Sequence, residues 1–169
     1  MSGIKAMTEW DRKAFQQSLP KKRISAGCLF FDADGNLLVV NPTYKKPWEI
    51  PGGCVEANES PRTAVIREVA EELGLHCSPG RLLCVDYSGE TDSKTERVQF
   101  IFDGGTLSPI EIATIQLPAD ELSEYRLLPP QKAIKLLNKS LRKRVCHCLR
   151  VRAGKASKIY LEEQNQTFV

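Results

Sequence analysis

The feature that most constrains the fold is an acidic, amphipathic segment near the middle of the chain, residues 61–74. Apolar residues recur there at intervals of four, the spacing of a buried stripe on an α-helix: Val65, Val69 and Leu73. Three glutamates then fall on the adjacent arc, where their side chains converge: Glu68, Glu71 and Glu72. The segment is therefore predicted to be a helix that packs on a core and holds a cluster of carboxylates beside it.

These glutamates repel one another, by a few tenths of a kcal/mol (~0.2–0.5) for each like-charged pair on an exposed helix. A divalent cation would remove that repulsion, and clustered hard oxygen ligands suit Mg²⁺, with Mn²⁺ as the alternative ion. A solvated acidic helix face is the other interpretation of the same pattern. The helix alone leaves both interpretations open.

The residues around the helix favour the metal site. Gly53 is followed, at fixed spacings, by Glu59, Arg67-Glu68, Glu71-Glu72 and Gly74, with apolar residues between and after them. This pattern over residues 53–75 resembles the signature of the Nudix hydrolase family at every fixed position, and the order of strands extends the resemblance over about residues 22–138. The resemblance implies an α/β fold, a Nudix-type α/β/α sandwich with a mixed sheet between helices. It also implies hydrolysis of a nucleoside diphosphate linked to some further group.

The resemblance assigns roles to individual positions. The implied metal ligands are the backbone carbonyl of Gly52 and the carboxylates of Glu68 and Glu72, with Glu71 nearby. Arg67 would orient Glu68, Glu59 would brace the junction of loop and helix, and Gly74 would end the helix. Gly53 belongs to the tight turn that follows Pro51.

A second glutamate-bearing segment, "DELSEYRLL", supplies a further candidate. Glu124 stands just before an aromatic residue, as a metal-binding glutamate does in MutT-type members of the family. Either Glu68 or Glu124 would then act as the base that takes a proton from water. The alternative for Glu124 is a surface carboxylate at a strand end.

The stretch that leads into the motif, "NPTYKKPWEIPGG", supplies candidates for binding the rest of the substrate. Lys45 and Lys46 are expected to meet a phosphate as point charges, unless they are solvated loop lysines. Trp48 would either stack on a base or pack beneath the glycine turn, and packing is the favoured interpretation.

Elsewhere the chain alternates strands and helices without regular spacing, and one domain over residues 1–169 is predicted. A hairpin is expected to turn at Asp32–Asn36. The remaining predicted strands are 81–89, 96–105 and 110–118, and the remaining predicted helices are 131–138 and 141–153. An N-terminal extension, residues 1–20, is expected to carry a short helix capped at Thr8 and anchored by Trp10 and Phe15.

The C-terminal region, residues 131–169, is predicted to form basic helices and a tail. Residues 131–158 hold ten Lys or Arg and neither Asp nor Glu. A solvated basic face is the simplest interpretation, and an anion-binding face for polyphosphate or RNA 5′ ends is the alternative. We refer to residues 131–158 as the basic run.

Composition sets the remaining expectations. No apolar run approaches the roughly 18 residues that a membrane span requires, and the first residues lack the apolar centre of a signal peptide. A cytoplasmic protein with reduced thiols and no membrane partner is expected. The predicted activity is Mg²⁺-dependent hydrolysis of a nucleotide-type diphosphate. An RNA 5′-end pyrophosphohydrolase and a non-catalytic nucleotide-sensing module are the alternatives, and the sequence predicts no oligomeric state.

Overall fold

The computed structural model describes residues 9–92 and 95–166 of the 169-residue chain. Its strands are β1 (Arg23–Phe31), β2 (Leu37–Pro42), β3 (Gly52–Cys54), β4 (Leu82–Ser88), β5 (Arg97–Thr106), β6 (Leu122–Leu128), β7 (Tyr160–Glu162) and β8 (Asn165–Gln166). Its helices are α1 (Glu9–Ser18), α2 (Pro61–Leu73), α3 (Pro109–Ala113), α4 (Pro130–Leu136) and α5 (Lys139–Arg152). No helix of the described part is both long enough and apolar enough to cross a membrane.

The strands form one mixed sheet in the order β6-β2-β1-β5-β4-β7-β8, and β3 pairs separately with β1. The pairs β1–β5 and β4–β7 are parallel, whereas the other pairs are antiparallel. Asp32 and Asn36 close the predicted hairpin between β1 and β2, since the Asp32 carboxylate accepts bonds from the Asn36 backbone and side chain. The mixed sheet between helices confirms the predicted α/β sandwich.

Side-chain alternation along the central strands divides the core into two layers. One face of the sheet packs against α2 through even-numbered positions: Ala26, Cys28, Phe30, Leu38, Val40 and Phe102. The other face packs against α4 and α5 through odd-numbered positions: Leu29, Phe31, Leu37, Val39 and Ile101. The central strands are thus buried on both faces, by α2 on one side and by α4 and α5 on the other.

The predicted strand over 110–118 is wrong. The structure has a short helix there, α3, followed by an extended segment. Ser108 accepts a bond of 3.2 Å from the Glu111 amide, and the Glu111 carboxylate accepts one of 2.7 Å from the Ser108 amide. This capping box, with Pro109 at the first helical position, outweighs the alternation of apolar residues that suggested a strand.

The expected anchoring of the N-terminal helix is also wrong. Helix α1 forms, but Trp10 and Phe15 are 78% and 58% exposed and do not join the core. The predicted cap, Thr8, lies outside the described residues.

Candidate active site

Helix α2 begins and ends at residues suited to its termini. The Ser60 hydroxyl accepts a bond of 3.1 Å from the Thr63 amide at the N-terminus, where Pro61 starts the helix. Gly74 ends it with φ of 67°, and its amide bonds the Ala70 carbonyl. Only a residue that tolerates positive φ fits there, as the resemblance implied. The glutamates are therefore carried on a helix of defined length.

Arg67 joins the loop before the helix to the carboxylates on it. Its guanidinium donates a two-pronged pair of bonds to Glu59, both 3.0 Å, and a bond of 2.9 Å to Oε1 of Glu68. Further bonds of 3.0 Å reach Glu71 and the Cys54 carbonyl. Glu59 in turn accepts the Glu56 amide at 2.9 Å. These contacts are the ones expected of a residue that orients Glu68 and of a glutamate that braces the loop.

The glycine turn approaches the carboxylates so closely that side chains are excluded. The Gly52 amide donates a bond of 2.8 Å to Oε2 of Glu72. Gly52 has φ of 135°, and a Cβ there would overlap the Ala26 carbonyl oxygen. A Cβ on Gly53 would overlap the Glu68 carboxylate. Position 52 consequently requires glycine, whereas a side chain at position 53 would displace the Glu68 carboxylate.

Burial and mutual repulsion raise the pKa values of two carboxylates in the site, Glu68 and Glu72. Burial raises the pKa of Glu72 to about 8, and the negative charges of Glu68, Glu121 and Glu49 act in the same direction. Burial also raises the pKa of Glu68, although the hydrogen bond from Arg67 opposes that rise. A cluster with these properties is stabilised by a positive charge placed among its oxygens.

The two remaining predicted glutamates, Glu71 and Glu124, lie in different places relative to Glu68 and Glu72. Glu71 is exposed and bonds Arg67. Glu124 does not line the cleft beside Glu68 and Glu72, and its carboxylate pairs with Arg126 at 2.6 Å. Its role as a ligand or base stays a prediction that the structure does not favour.

Glu121 is a cleft carboxylate that the sequence did not single out. It lines the cleft and stands next to the first residue of β6, where its backbone carbonyl accepts the Thr43 amide at 2.9 Å. Glu124 lies within β6, and no residue of that strand lines the cleft. The signal available was the acidic pair in "DELSEY" itself, whose first glutamate precedes the strand.

The candidates for substrate binding are placed differently from one another. Lys45 lines the cleft and pairs with Glu49 at 3.1 Å. Lys46 is exposed and outside the cleft. Trp48 is only 8% exposed, packs in the core near α4, and lies beneath the guanidinium of Arg126, 4.8 Å from the ring centroid. Trp48 is therefore packed in the core near α4 and is not placed to stack on a base in the cleft, while its packing beneath the glycine turn stays a prediction.

The cleft has a volume of about 700 Å³ and two ends of opposite charge. The acidic end is lined by Glu49, Glu68, Glu72 and Glu121. The other end is lined by three arginines that sequence reasoning did not single out: Arg23, Arg97 and Arg144. We call these ends the carboxylate end and the arginine end.

The carboxylate end fits a divalent metal in its chemistry. Glu68 and Glu72 present hard oxygens beside the backbone of a glycine turn, and burial disfavours their charged forms unless a cation is bound. Among the residues described, no group of three or more His, Cys, Asp or Glu side chains is already gathered to hold a metal ion. Mg²⁺ suits such a sparse site because it usually retains several waters and shares its sphere with substrate phosphates.

Comparisons with known proteins agree with this arrangement. The family model described as the NUDIX domain matches residues 21–148. Diphosphoinositol polyphosphate phosphohydrolase 2 of Mus musculus is 43% identical over 77 residues, which are 44% of this chain and 39% of that protein. The matched region thus spans about two fifths of the length of such curated relatives.

Solved structures show the same fold. The MutT protein of Methanosarcina mazei Go1 has a TM-score of 0.65 and 27% identity, covering 82% of this chain and all of that one. The NUDIX domain of Shewanella oneidensis NrtR, crystallised with ADP ribose, has a TM-score of 0.66 and 19% identity, covering 87% of this chain and 99% of that one. Because the family model matches residues 21–148, which are most of this chain, the chain belongs to the Nudix hydrolase family.

Proposed function

We propose that this protein is a Mg²⁺-dependent pyrophosphohydrolase that cleaves the diphosphate linkage of a nucleoside diphosphate joined to another moiety. One observation carries the proposal. Glu68 and Glu72 are brought together in a cleft, partly desolvated, and held by Arg67 on one side and the glycine turn on the other. An acidic cluster that served only solubility would be exposed and would not need this support.

The residues of this chain divide the chemistry among them. Glu68, which lines the cleft, would accept the proton of the attacking water. Arg67 would keep that carboxylate oriented through its bond to Oε1. Glu72, the Gly52 carbonyl and Glu68 would hold Mg²⁺, which when bound offsets charge on the phosphate oxygens.

The choice of substrates to test follows from the relatives. The curated relative named above is a diphosphoinositol polyphosphate phosphohydrolase, and the NrtR domain was crystallised with ADP ribose. A Caenorhabditis elegans protein of similar fold is an Ap4A hydrolase. Each of these compounds contains phosphoanhydride linkages, which is the bond class that the proposed site would attack.

The test is a screen of the purified protein with Mg²⁺ or Mn²⁺. The panel comprises ADP-ribose, NADH, dinucleoside polyphosphates, sugar nucleotides, deoxynucleoside triphosphates, a diphosphoinositol polyphosphate and triphosphorylated RNA. We expect metal-dependent release of phosphate or a nucleoside monophosphate from at least one compound, and loss of that release in Glu68→Gln. Binding of a compound without turnover by the intact protein would instead support a nucleotide-sensing module.

A further inference from the structure

The arginine end of the cleft is built by adjacent strands and a helix. Arg23 of β1 and Arg97 of β5 are register partners in the parallel pair, so their side chains leave the same face of the sheet. Gln99 lies two residues further along that face and also lines the cleft. Arg144 reaches the same space from α5, which packs over this face.

Several polar atoms at this end have no partner within the protein. Among the described residues, three buried side-chain atoms lack a hydrogen bond: Nε of Arg97, Oε1 of Gln99 and Nε of Arg144. Their residues all line the cleft. Buried polar atoms are nearly always satisfied in native proteins. The two guanidinium nitrogens are donors that suit an anion, whereas Oε1 of Gln99 is an acceptor and does not.

The positive charge at this end is only partly balanced. Arg144, which is 3% exposed, pairs with buried Asp86 at 3.1 Å. Asp86 is already engaged elsewhere, because it accepts a bond of 2.8 Å from the Gln164 amide. Burial, and then the charges of Arg144 and Arg23, lower the pKa of Arg97. An anion beside these guanidiniums would reverse that unfavourable balance.

The first turn of α5 adds partial positive charge at the same end of the cleft. Its cap Asn138 and the helical residue Ser140 both line the cleft, so the N-terminus of this 14-residue helix opens onto it. The amide groups at a helix N-terminus carry partial positive charge and commonly bind phosphate. The buried Arg144 is a second and independent sign of a ligand at this point.

We propose that Arg23, Arg97 and Arg144, with the start of α5, bind a phosphate group of the substrate other than the two phosphates at the cleaved linkage. Arginine forks match phosphate oxygens with paired hydrogen bonds. The moiety beyond the scissile diphosphate is therefore itself phosphorylated. The statement that this phosphorylated moiety is part of a substrate rests on the proposed hydrolase function. The statement that the arginine end binds phosphate does not.

The test measures binding of inorganic tripolyphosphate to the full-length protein in EDTA, which removes divalent ions from the carboxylate end. Calorimetry and thermal melting are compared for the wild type, Arg23→Gln, Arg97→Gln and the matched control Lys143→Gln. Lys143 is an exposed cation of the same helix and does not line the cleft. Arg144 is left intact because its removal would leave Asp86 without its counter-charge.

We expect the wild type to bind tripolyphosphate, Arg97→Gln to bind it about tenfold more weakly or worse, and Lys143→Gln to match the wild type. Without the anion, Arg97→Gln should melt at or above the wild-type temperature, since a crowded charge is removed. Absence of wild-type binding, or equal binding by Arg97→Gln, would overturn the proposal.

The two proposals fail separately. If the wild-type protein hydrolyses diphosphates but does not bind tripolyphosphate, only the arginine subsite is rejected. Anion binding that depends on Arg97 in a protein without hydrolytic activity supports the subsite and rejects the hydrolase function.

Discussion

Glu72 accepts a hydrogen bond of 2.8 Å from the Gly52 amide, so a largely desolvated carboxylate of the cleft is tied to the glycine turn of β3. The bond supplies partial positive charge to a group whose burial raises its pKa to about 8. The turn and the helix are thus held together at the point where a cation is expected. The predictions below separate the contributions of the residues that meet there.

Glu68→Gln should remove most of the turnover while the protein stays folded. The variant loses a general base and a metal ligand, and a rate loss of about 10²-fold or more is expected. Steady-state kinetics on a substrate from the screen would measure it, with circular dichroism as the check of folding. A variant with near-wild-type kcat would place the chemistry elsewhere.

Mg²⁺ should stabilise the folded protein. Carboxylates gathered by the fold bind the ion in the native state and hardly at all in the unfolded chain, and a concentration 100 times Kd adds about 2.7 kcal/mol. For a chain of this size the melting temperature would rise by about 5–10 °C. K⁺ at matched ionic strength should do much less, and equal effects of the two salts would mean that the cluster is only a charged surface.

Arg67→Lys should lower both stability and activity. A lysine ammonium cannot reproduce the paired bonds to Glu59 while also reaching Glu68 and the Cys54 carbonyl. Loss of about 2 kcal/mol in the free energy of unfolding is expected. Urea denaturation would measure this loss, with Arg150→Lys on the exposed surface as the matched control.

Glu121→Gln and Glu124→Gln should behave differently. Glu121 lines the carboxylate end and acts on the charges of Glu68 and Glu72, whereas Glu124 is paired with Arg126. We expect Glu121→Gln to weaken the stabilisation by Mg²⁺ and Glu124→Gln to leave it unchanged. The reverse order, measured by thermal melting with increasing Mg²⁺, would restore Glu124 as the ligand that its position before an aromatic residue suggested.

The exposed part of the basic run provides a test of RNA binding. Arg142 bonds the carbonyls of Ile134, Lys135 and Leu137 and thus closes the end of α4, so it is left in place. Neutralising Lys143 and Arg150 should flatten the dependence of log K on log salt for triphosphorylated RNA, by about 0.7–0.9 for each phosphate that the protein no longer neutralises. Hydrolysis of a small nucleotide should barely change. Unchanged RNA binding would leave these residues as a solvated face.

The sequence predicted the carboxylate helix well because its signals are local. The apolar stripe and the spacing from Gly53 to Gly74 lie within one continuous stretch. The arginine end could not be predicted in this way. Arg23 and Arg97 are 74 positions apart in the chain and meet only because β1 and β5 pair in parallel.

Glu121 was missed for a related reason. Glu121 precedes β6 and lines the cleft, whereas Glu124 lies within the strand and does not, so the start of β6 separates the two. That start is a property of pairing with β2, which the segment alone does not reveal. Arg144 is a similar case, since it is buried among exposed neighbours that carry the same charge.

The last described strands have a practical consequence for anyone who shortens or tags this chain. Gln164 bonds Asp86 through its backbone and side chain, and Asp86 pairs with Arg144 at the wall of the cleft. A deletion that removes residues 160–166 would remove the hydrogen bonds from Gln164 to Asp86. Arg144, which pairs with Asp86, would then be held less firmly. Affinity for substrate would then change although every signature residue was intact, so a truncated version is a poor stand-in for the full chain in binding assays.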